Sequence, residues 1–528
     1  MKILNVRQMV EVDRLTSEKY GMPGLLLMEN AGIQLYLALK QHFEDALEGK
    51  RTAVICGKGN NGGDGIVLAR QLAQRGLHPD LYLLSRVADV SGDAAINLRI
   101  FVASGWRVEE VTSIQRWEEI KPRLRLYDIL VDALLGTGLT KPLRGLYSEV
   151  VSTINRSRAF VLAVDIPSGM FSDSLVVGVP TVHADLTVTF TAPKIAHILN
   201  PDQEAIGKLK IAPIGSPARL MENPDYDLNL ITEEEARAAL LPRPIASHKG
   251  HYGHVAMVAG SRGKAGAAAL SSLAALGTGS GLVTAYLPQP VQAVVASFQP
   301  EIMTEGLAST DEGTFSLKCL DPLLGGLKGK DAAGLGPGLT THAQTVSLVH
   351  QLVEQVEIPL VLDADALNAF GAEKEVPRSH AQPLILTPHP GEFSRLIGRP
   401  TGELLADRVN LARRFSRRHR VWLVLKGFRT LIAEPEGQVY VCPLGNPGMA
   451  TAGMGDVLTG VITSVVGLYR ARGMTRPAHI TQAVSLGVYL HSLAGELAAA
   501  ETGQEALTAG EVIAHLGMAF QRLRTSAT

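Results

Sequence analysis

Cysteine is scarce. The chain has three in 528 residues, Cys56, Cys319 and Cys442, an odd number spread far apart. That spacing excludes a disulfide framework and a zinc-ligand pattern, and it suits a reducing compartment. A charge surplus is also missing, since 50 Lys and Arg face 51 Asp and Glu. Without excess cations there is no electrostatic attraction to phosphate backbones, and no nucleic-acid partner is expected. Long apolar runs are absent as well. The longest weakly polar stretch, near "VLTGVITSVVGLY", is too short to cross a bilayer. The N-terminus reaches Glu11 and Asp13 before any segment that could serve as a signal peptide. The expectation is a cytoplasmic protein with no membrane partner. The residues set no oligomeric state and leave a homo-oligomer open.

Glycine, by contrast, is plentiful at 53 residues, and the length calls for two or three hydrophobic cores. Short apolar runs at 52–56, 80–84, 128–132, 160–165 and 185–190 read as strands, with helical patterns between them. A second glycine-rich series has strands expected at 254–259, 281–286, 358–363, 383–387 and 421–426. Strand and helix in alternation imply α/β domains built on mostly parallel sheets covered on both faces. The two series do not look like repeats of each other. Two different α/β domains are therefore expected, residues 1–218 and 230–528, with a polar, turn-rich linker at 219–229. Thr232 and Glu235, three apart, read as a capping box that opens the first helix of the second domain.

"CGKGNNGGDG" (56–65) follows the first strand, and Gly57, Gly59 and Gly62 fit the dinucleotide-loop spacing G-x-G-x-x-G. That fingerprint also needs an acid about 20 positions on, at the end of the next strand, to hold a ribose. The nearest candidate, Asp80, begins its strand, and Asp64 would repel a pyrophosphate at the helix N-terminus. An ordinary nicotinamide-cofactor loop is therefore rejected. Three further strand ends carry related material: "VDALLGTGLTKPLRG" (131–145), "AVDIPSG" (163–169) and "FTAPK" (190–194). Asp132 and Asp165 close apolar strands, so both carboxylates are expected in one crevice at the carboxyl edge of the sheet.

In order and content these loops, with "YGMPGLLLMENAG" (20–32), resemble the YjeF N-terminal family of NAD(P)H-hydrate epimerases over residues 5–215. The resemblance implies a Rossmann-like three-layer domain that takes a hydrated, damaged nicotinamide dinucleotide as substrate. It carries substrate contacts onto Asn60, Asn61, Gly62, Gly63 and Asp64, onto Gly136, Thr137, Gly138, Leu139, Thr140, Lys141 and Pro142, and onto Asp165. It carries a potassium ion onto Asn61, Asp132 and Ser168, oxygen donors suited to a hard cation. The hydrate's C6 hydroxyl is next to the ring nitrogen, so its stereocentre can be lost through a ring-opened or iminium form, with Asp165 moving the proton.

"GNPGMATAGMGDVLTG" (445–460) is the most specific stretch in the chain. A glycine turn leads into a helix with Asp456 in its first turn, which places a base beside free backbone N–H groups that suit an anion. This G-x-G-D pattern resembles the ribokinase-like superfamily, where the Asp deprotonates a phosphoryl acceptor. "HKGHYGHV" (248–255), "GLGPGL" (334–339), "LDADALN" (362–368), "LTPHPGEFSRL" (386–396) and "VLKGFRTLIA" (424–433) narrow the likeness to NAD(P)H-hydrate dehydratases over residues 228–524. The loop "AGSRGKAGAA" (259–268) matches less tightly, at Lys264 above all. The resemblance implies substrate contacts at Ala267, Gly338, His389 and Asp456, and nucleotide on Lys426, Gly427, Phe428, Arg429, Thr430 and Gly455. No Walker motif occurs, so Mg²⁺ is expected on the nucleotide phosphates and water.

Together the two resemblances imply a bifunctional repair enzyme. One domain would interconvert the R and S hydrates of NADH and NADPH. The other would dehydrate the S form while converting ADP to AMP and phosphate. Two rivals stand beside this reading: a vitamin kinase of the hydroxymethylpyrimidine type fused to a nucleotide-binding domain, and a first domain that only senses a ligand or binds a partner.

Overall fold

The computed structural model describes residues 1–371 and 382–525. It divides into two compact units, Met1–Tyr226 and Asp227–Thr528.

In the first unit, the strands are β1 (Thr52–Cys56), β2 (Asp80–Leu83), β3 (Val108–Glu110), β4 (Ile129–Ala133), β5 (Phe160–Val164), β6 (Leu186–Phe190) and β7 (Lys208–Ala212). Among the described residues they form one parallel sheet in the order β3-β2-β1-β4-β5-β6-β7. β1, β4 and β6 are buried along their whole length, because helices cover both faces of the sheet. One face packs Leu35, Val54, Ile66, Val67 and Val131, and the other packs Ile55, Trp117, Leu130 and Ile154. The strand order reverses between β1 and β4, and there the carboxyl ends of the strands open a crevice.

In the second unit, the strands are β8 (Leu228–Leu230), β9 (His254–Val258), β10 (Leu282–Pro288), β11 (Met303–Leu307), β12 (Ala332–Leu335), β13 (Leu360–Leu362), β14 (Leu384–Leu386), β15 (Trp422–Leu425), β16 (Leu431–Ala433) and β17 (Val439–Val441). Among the described residues their order is β11-β10-β9-β12-β13-β14-β15-β16-β17-β8, parallel except where β16 pairs with β15 and β17. Helices Ala265–Gly277, Met454–Ala471 and Pro477–Thr502 build the main core against this sheet. The first two pack closely because of Gly460: a Cβ there would stand 2.1 Å from the Ser271 carbonyl.

Every strand expected from the sequence is present, with ends shifted by at most two residues. The Thr232 box forms as expected, with Thr232 Oγ accepting from Glu235 N and Glu235 accepting from Thr232 N. The expected linker is different. Leu220 and Tyr226 bury against Leu4, Met9 and Val12 of the first unit, while Leu228–Leu230 is an edge strand of the second sheet. Apolar side chains within a polar stretch anchor each half of it to a core. The apolar runs also need correction. Helix Pro477–Thr502 is long and apolar enough to cross a membrane, but 67% of its most apolar window is buried inside the protein. The three cysteines are buried and unbridged.

Two candidate active sites

In the first unit a cavity of about 980 Å³ opens at the strand-order reversal. Its floor is made by two loops in contact: a Cβ on Gly57 would stand 1.9 Å from the Leu134 carbonyl, so only glycine lets the loop after β1 lie against the loop after β4. Helix Asn60–Ala73 then starts with no side-chain cap, so no capping side chain satisfies its first N–H groups. Of the residues expected to contact substrate, Asn60, Asn61, Asp64, Asp165 and the run from Gly136 to Lys141 line the cavity. Gly62, Gly63 and Pro142 are not among the lining residues, and the two glycines are buried within the helix start. Asp80, rejected above as a ribose ligand, accepts a 2.6 Å hydrogen bond from the Tyr127 hydroxyl.

Asp165 follows β5 with a φ of +62°, a left-handed conformation unusual for a residue with a side chain. This places its carboxylate against Lys194, whose ammonium donates to Asp165 Oδ1 at 2.6 Å and to Thr189 Oγ1 at 2.8 Å. Burial pushes the Asp165 carboxyl upward, but the Lys194 ammonium and the Thr189 hydroxyl draw it back below the ordinary range, so it is held ionised. Lys194 is 2% exposed. It closes the "FTAPK" run, and a cation inside an otherwise apolar strand end was the available signal for a functional role. Asp13, on helix Val6–Glu18, also lines the cavity.

Asp132 departs from expectation. It lies inside β4 with no exposure and accepts from Ser168 Oγ at 2.6 Å and Ser168 N at 2.8 Å, so its carboxylate does not line the cavity. Burial raises its pKa to about 6 against the opposing bonds from Ser168. Asn61 lies beside Gly136, and its buried side-chain oxygen and nitrogen have no hydrogen-bond partner among the described residues.

In the second unit Asp456 stands in the first turn of helix Met454–Ala471, whose N-cap is Gly453 with a φ of +88°. Burial raises the Asp456 pKa to about 7, with Asp363 adding and Lys426 opposing. Asp363, buried at the end of β13, accepts from Lys426 Nζ at 2.6 Å and from Thr459 Oγ1 at 2.9 Å. Lys426 therefore does not point freely from its strand end but is held in an ion pair, with Glu392 3.9 Å away. A Cβ on Gly455 would come within 3.2 Å of the same ammonium, so the expected nucleotide residues Lys426 and Gly455 adjoin. Phe428 is exposed, the Arg429 guanidinium lies over its ring, and Thr430 donates to the Gly427 carbonyl.

Gly338 and Ala267 are neighbours, linked by Lys264 to Asp365, which in turn acts on Asp456. His389 caps helix Pro390–Ile397. Its Nδ1 accepts from Gly391 N at 2.9 Å and Glu392 N at 3.3 Å, while the outer ring stays half-exposed. Asp363, Asp365 and Glu392 were missed as single residues, although each lies in a motif quoted from the sequence. Among the described residues no cluster of His, Cys, Asp and Glu is built to hold a metal.

The fold and these two sites define an α/β enzyme, with a carboxylate–ammonium pair at the strand-order reversal of the first unit and a helix-mounted acid beside a glycine turn in the second. Residues 24–196 match the family model of the YjeF-related protein N-terminus, and residues 255–516 that of NAD(P)H-hydrate dehydratase. A bifunctional NAD(P)H-hydrate repair enzyme of Moorella thermoacetica is 40% identical over 99% of this chain and 97% of its own length. Its counterpart in Thermofilum pendens is 39% identical with the same coverage, 99% and 97%. A crystal structure of an ADP/ATP-dependent NAD(P)H-hydrate dehydratase from Bacillus subtilis, co-crystallised with ATP and Mg²⁺, is 32% identical, covering 56% of this chain and 98% of that one with a TM-score of 0.47. The chain belongs to the family of bifunctional NAD(P)H-hydrate repair enzymes. Relatives that match across both units do not favour a vitamin kinase with an appended binding module.

Proposed function

We propose that the two sites carry the family's two activities, NAD(P)H-hydrate epimerisation in the first unit and nucleotide-dependent NAD(P)H-hydrate dehydration in the second. The observation that carries this reading is the pairing of opposite carboxylates: Asp165 held ionised by Lys194, and Asp456 raised to about 7 by burial.

In the first cavity, lined by Asn60, Asn61, Asp64, the run from Gly136 to Lys141 and Asp165, the hydrated nicotinamide would bind with its C6 hydroxyl toward Asp165. The carboxylate takes the hydroxyl proton as the C6–N1 bond opens, and closure on the other face inverts C6. Lys194 keeps Asp165 in the form that can accept. Asn61, Asp132 and Ser168 suit a potassium ion: the Asn61 amide oxygen is buried without a partner, and the other two offer hard oxygens. Such an ion supplies positive charge beside the loop that holds the dinucleotide.

In the second site Asp456 removes the proton of the C6 hydroxyl, and the resulting oxygen attacks the terminal phosphorus of ADP. AMP leaves, and backbone N–H groups at Ala452–Gly455 neutralise the developing charge. The ring nitrogen then expels phosphate, a far better leaving group than hydroxide, and loss of a neighbouring ring proton restores the dihydronicotinamide. Ala267, Gly338 and His389 hold the substrate. Lys426–Thr430 and Gly455 hold the nucleotide, with Mg²⁺ on its phosphates.

The deciding experiment incubates racemic hydrate with ADP and follows the absorbance of reduced nicotinamide. Wild type converts the whole racemate. Asp456→Asn converts none, and Asp165→Asn stops at the S half. Full conversion by Asp165→Asn, faster than uncatalysed exchange, removes Asp165 from the epimerase reaction, and wild type that stops at the S half removes the epimerase assignment. ADP consumption with pyrimidine alcohols but not with the hydrate removes the dehydratase assignment.

A further inference from the structure

Asp165 can take a proton from the hydroxyl, but ring opening needs a second group. When the C6–N1 bond breaks, its electron pair goes to the ring nitrogen, and that nitrogen must receive a proton. An iminium route would avoid this need. However, an iminium at C6 loses a neighbouring ring proton to give the dihydronicotinamide directly, with no nucleotide consumed. Ring opening keeps the two activities distinct, so the epimerase cavity needs a proton donor across from Asp165.

Asp13, in the same cavity, can meet that need. It projects from helix Val6–Glu18 into the same cavity as Asp165 and Lys194, and it precedes every motif singled out in the sequence. Its Oδ1 is fully buried and has no hydrogen-bond partner among the described residues, which marks a carboxyl with capacity left for a ligand. The groups facing it are the Lys194 ammonium, the Asp165 carboxylate and, from helix Asn60–Ala73, the half-buried Asp64. Half-buried Asp93 and the exposed Arg14, Lys58 and Lys141 also line the cavity. Burial is the largest influence on Asp13 and raises its pKa to about 6. Lys194 opposes that rise and Asp165 adds to it. Two carboxyls in one cavity with pKa values driven apart form an acid–base pair.

We propose that Asp13 is the general acid of the epimerase, donating its proton to the ring nitrogen while Asp165 accepts the proton of the C6 hydroxyl. The C6–N1 bond breaks to an aldehyde and a ring-opened N–H. Rotation about the adjoining C–C bond turns the other aldehyde face to nitrogen, and C6–N1 re-forms. The N–H proton returns to Asp13 and the Asp165 proton returns to oxygen. Both residues regain their starting states, and nothing is oxidised or reduced.

This inference rests on the epimerase reading, and its test uses the full chain without ADP, following exchange of R and S NADPH hydrate by chromatography. Asp13→Asn should lower kcat for exchange about 100-fold and leave KM within about threefold. Dehydration of pure S hydrate with ADP should stay unchanged in the same protein. Wild-type exchange should fall as pH rises through about 6, because the donor must be protonated, and Asp13→Asn should lose that dependence. Asp13→Glu should recover at least a tenth of the exchange. Exchange by Asp13→Asn within twofold of wild type, or loss through KM alone, overturns the proposal. If Asp13→Asn does not fold, the wild-type pH profile decides, and a flat profile between pH 5 and 8 overturns it. Absence of exchange in wild type itself overturns the epimerase reading instead.

Discussion

Lys194 is nearly inaccessible, and its ammonium is surrounded by Asp165, Thr189 and the Phe190 carbonyl. Replacing it with Met leaves the Asp165 charge buried and unpaired, which costs roughly 3–5 kcal/mol. Lys194→Met should therefore lower the melting temperature of the first unit and abolish R–S exchange, while dehydration of S hydrate continues. Asp456 makes the opposite case. Its folded pKa of about 7 lies above the ordinary value of 3.8, so the folded state holds a proton that the unfolded chain releases. Stability falls as pH rises from about 4 to about 7 and is then level. Asp456→Asn should stabilise the second unit at pH 8 by on the order of 1–3 kcal/mol, and by less at pH 5, as calorimetry at the two pH values reads. The same shift requires wild-type dehydration to rise with pH through about 7, because the base must be ionised.

Among the elements, the loop after β1 is the most tightly determined. Gly57→Ala would drive a Cβ into the Leu134 carbonyl at 1.9 Å, so it should displace the loop after β4, abolish exchange and lower the first transition on melting. The same tightness made this loop legible in the sequence, because five glycines in ten residues suit a close-packed turn and little else. Interior strands were legible for a related reason: "TAVIC" and "LTVTF" are buried on both faces and read as unbroken apolar runs. Other strands lie outside the expectation for different reasons: β8 ("LNL"), β16 ("LIA") and β17 ("VYV") are only three residues long, too short for an apolar run to stand out. β3 ("VEE"), β7 ("KLKIA") and β11 ("MTEGL") lie at sheet edges, largely half-buried, with polar residues breaking each apolar run. β12 ("AAGL") is central but built of small residues. In the sites the glycine turns and strand-end acids were visible. The ion pairs that set their charge, Lys194 with Asp165 and Lys426 with Asp363, were not, because each joins residues distant in the chain.

For the molecule as a whole, each unit has its own core, and the boundary falls between Tyr226 and Asp227. Fragments 1–226 and 227–528 should fold separately. The first should exchange R and S hydrates, the second should dehydrate only S, and a mixture should clear the racemate. A fragment ending at residue 218 loses Leu220 and Tyr226 from the cluster around Leu4, Met9 and Val12 and should melt lower than 1–226. Helix Pro477–Thr502 adds a condition on how the protein is made. It packs against helices Met454–Ala471 and Ala509–Thr525, and the second of these follows it in the chain and so leaves the ribosome later. Until then the emerging polypeptide displays a segment with the length and greasiness of a bilayer anchor. Chains stalled or cut short before Ala509 should consequently partition into detergent or be captured by chaperones, a fate that completing one more helix prevents.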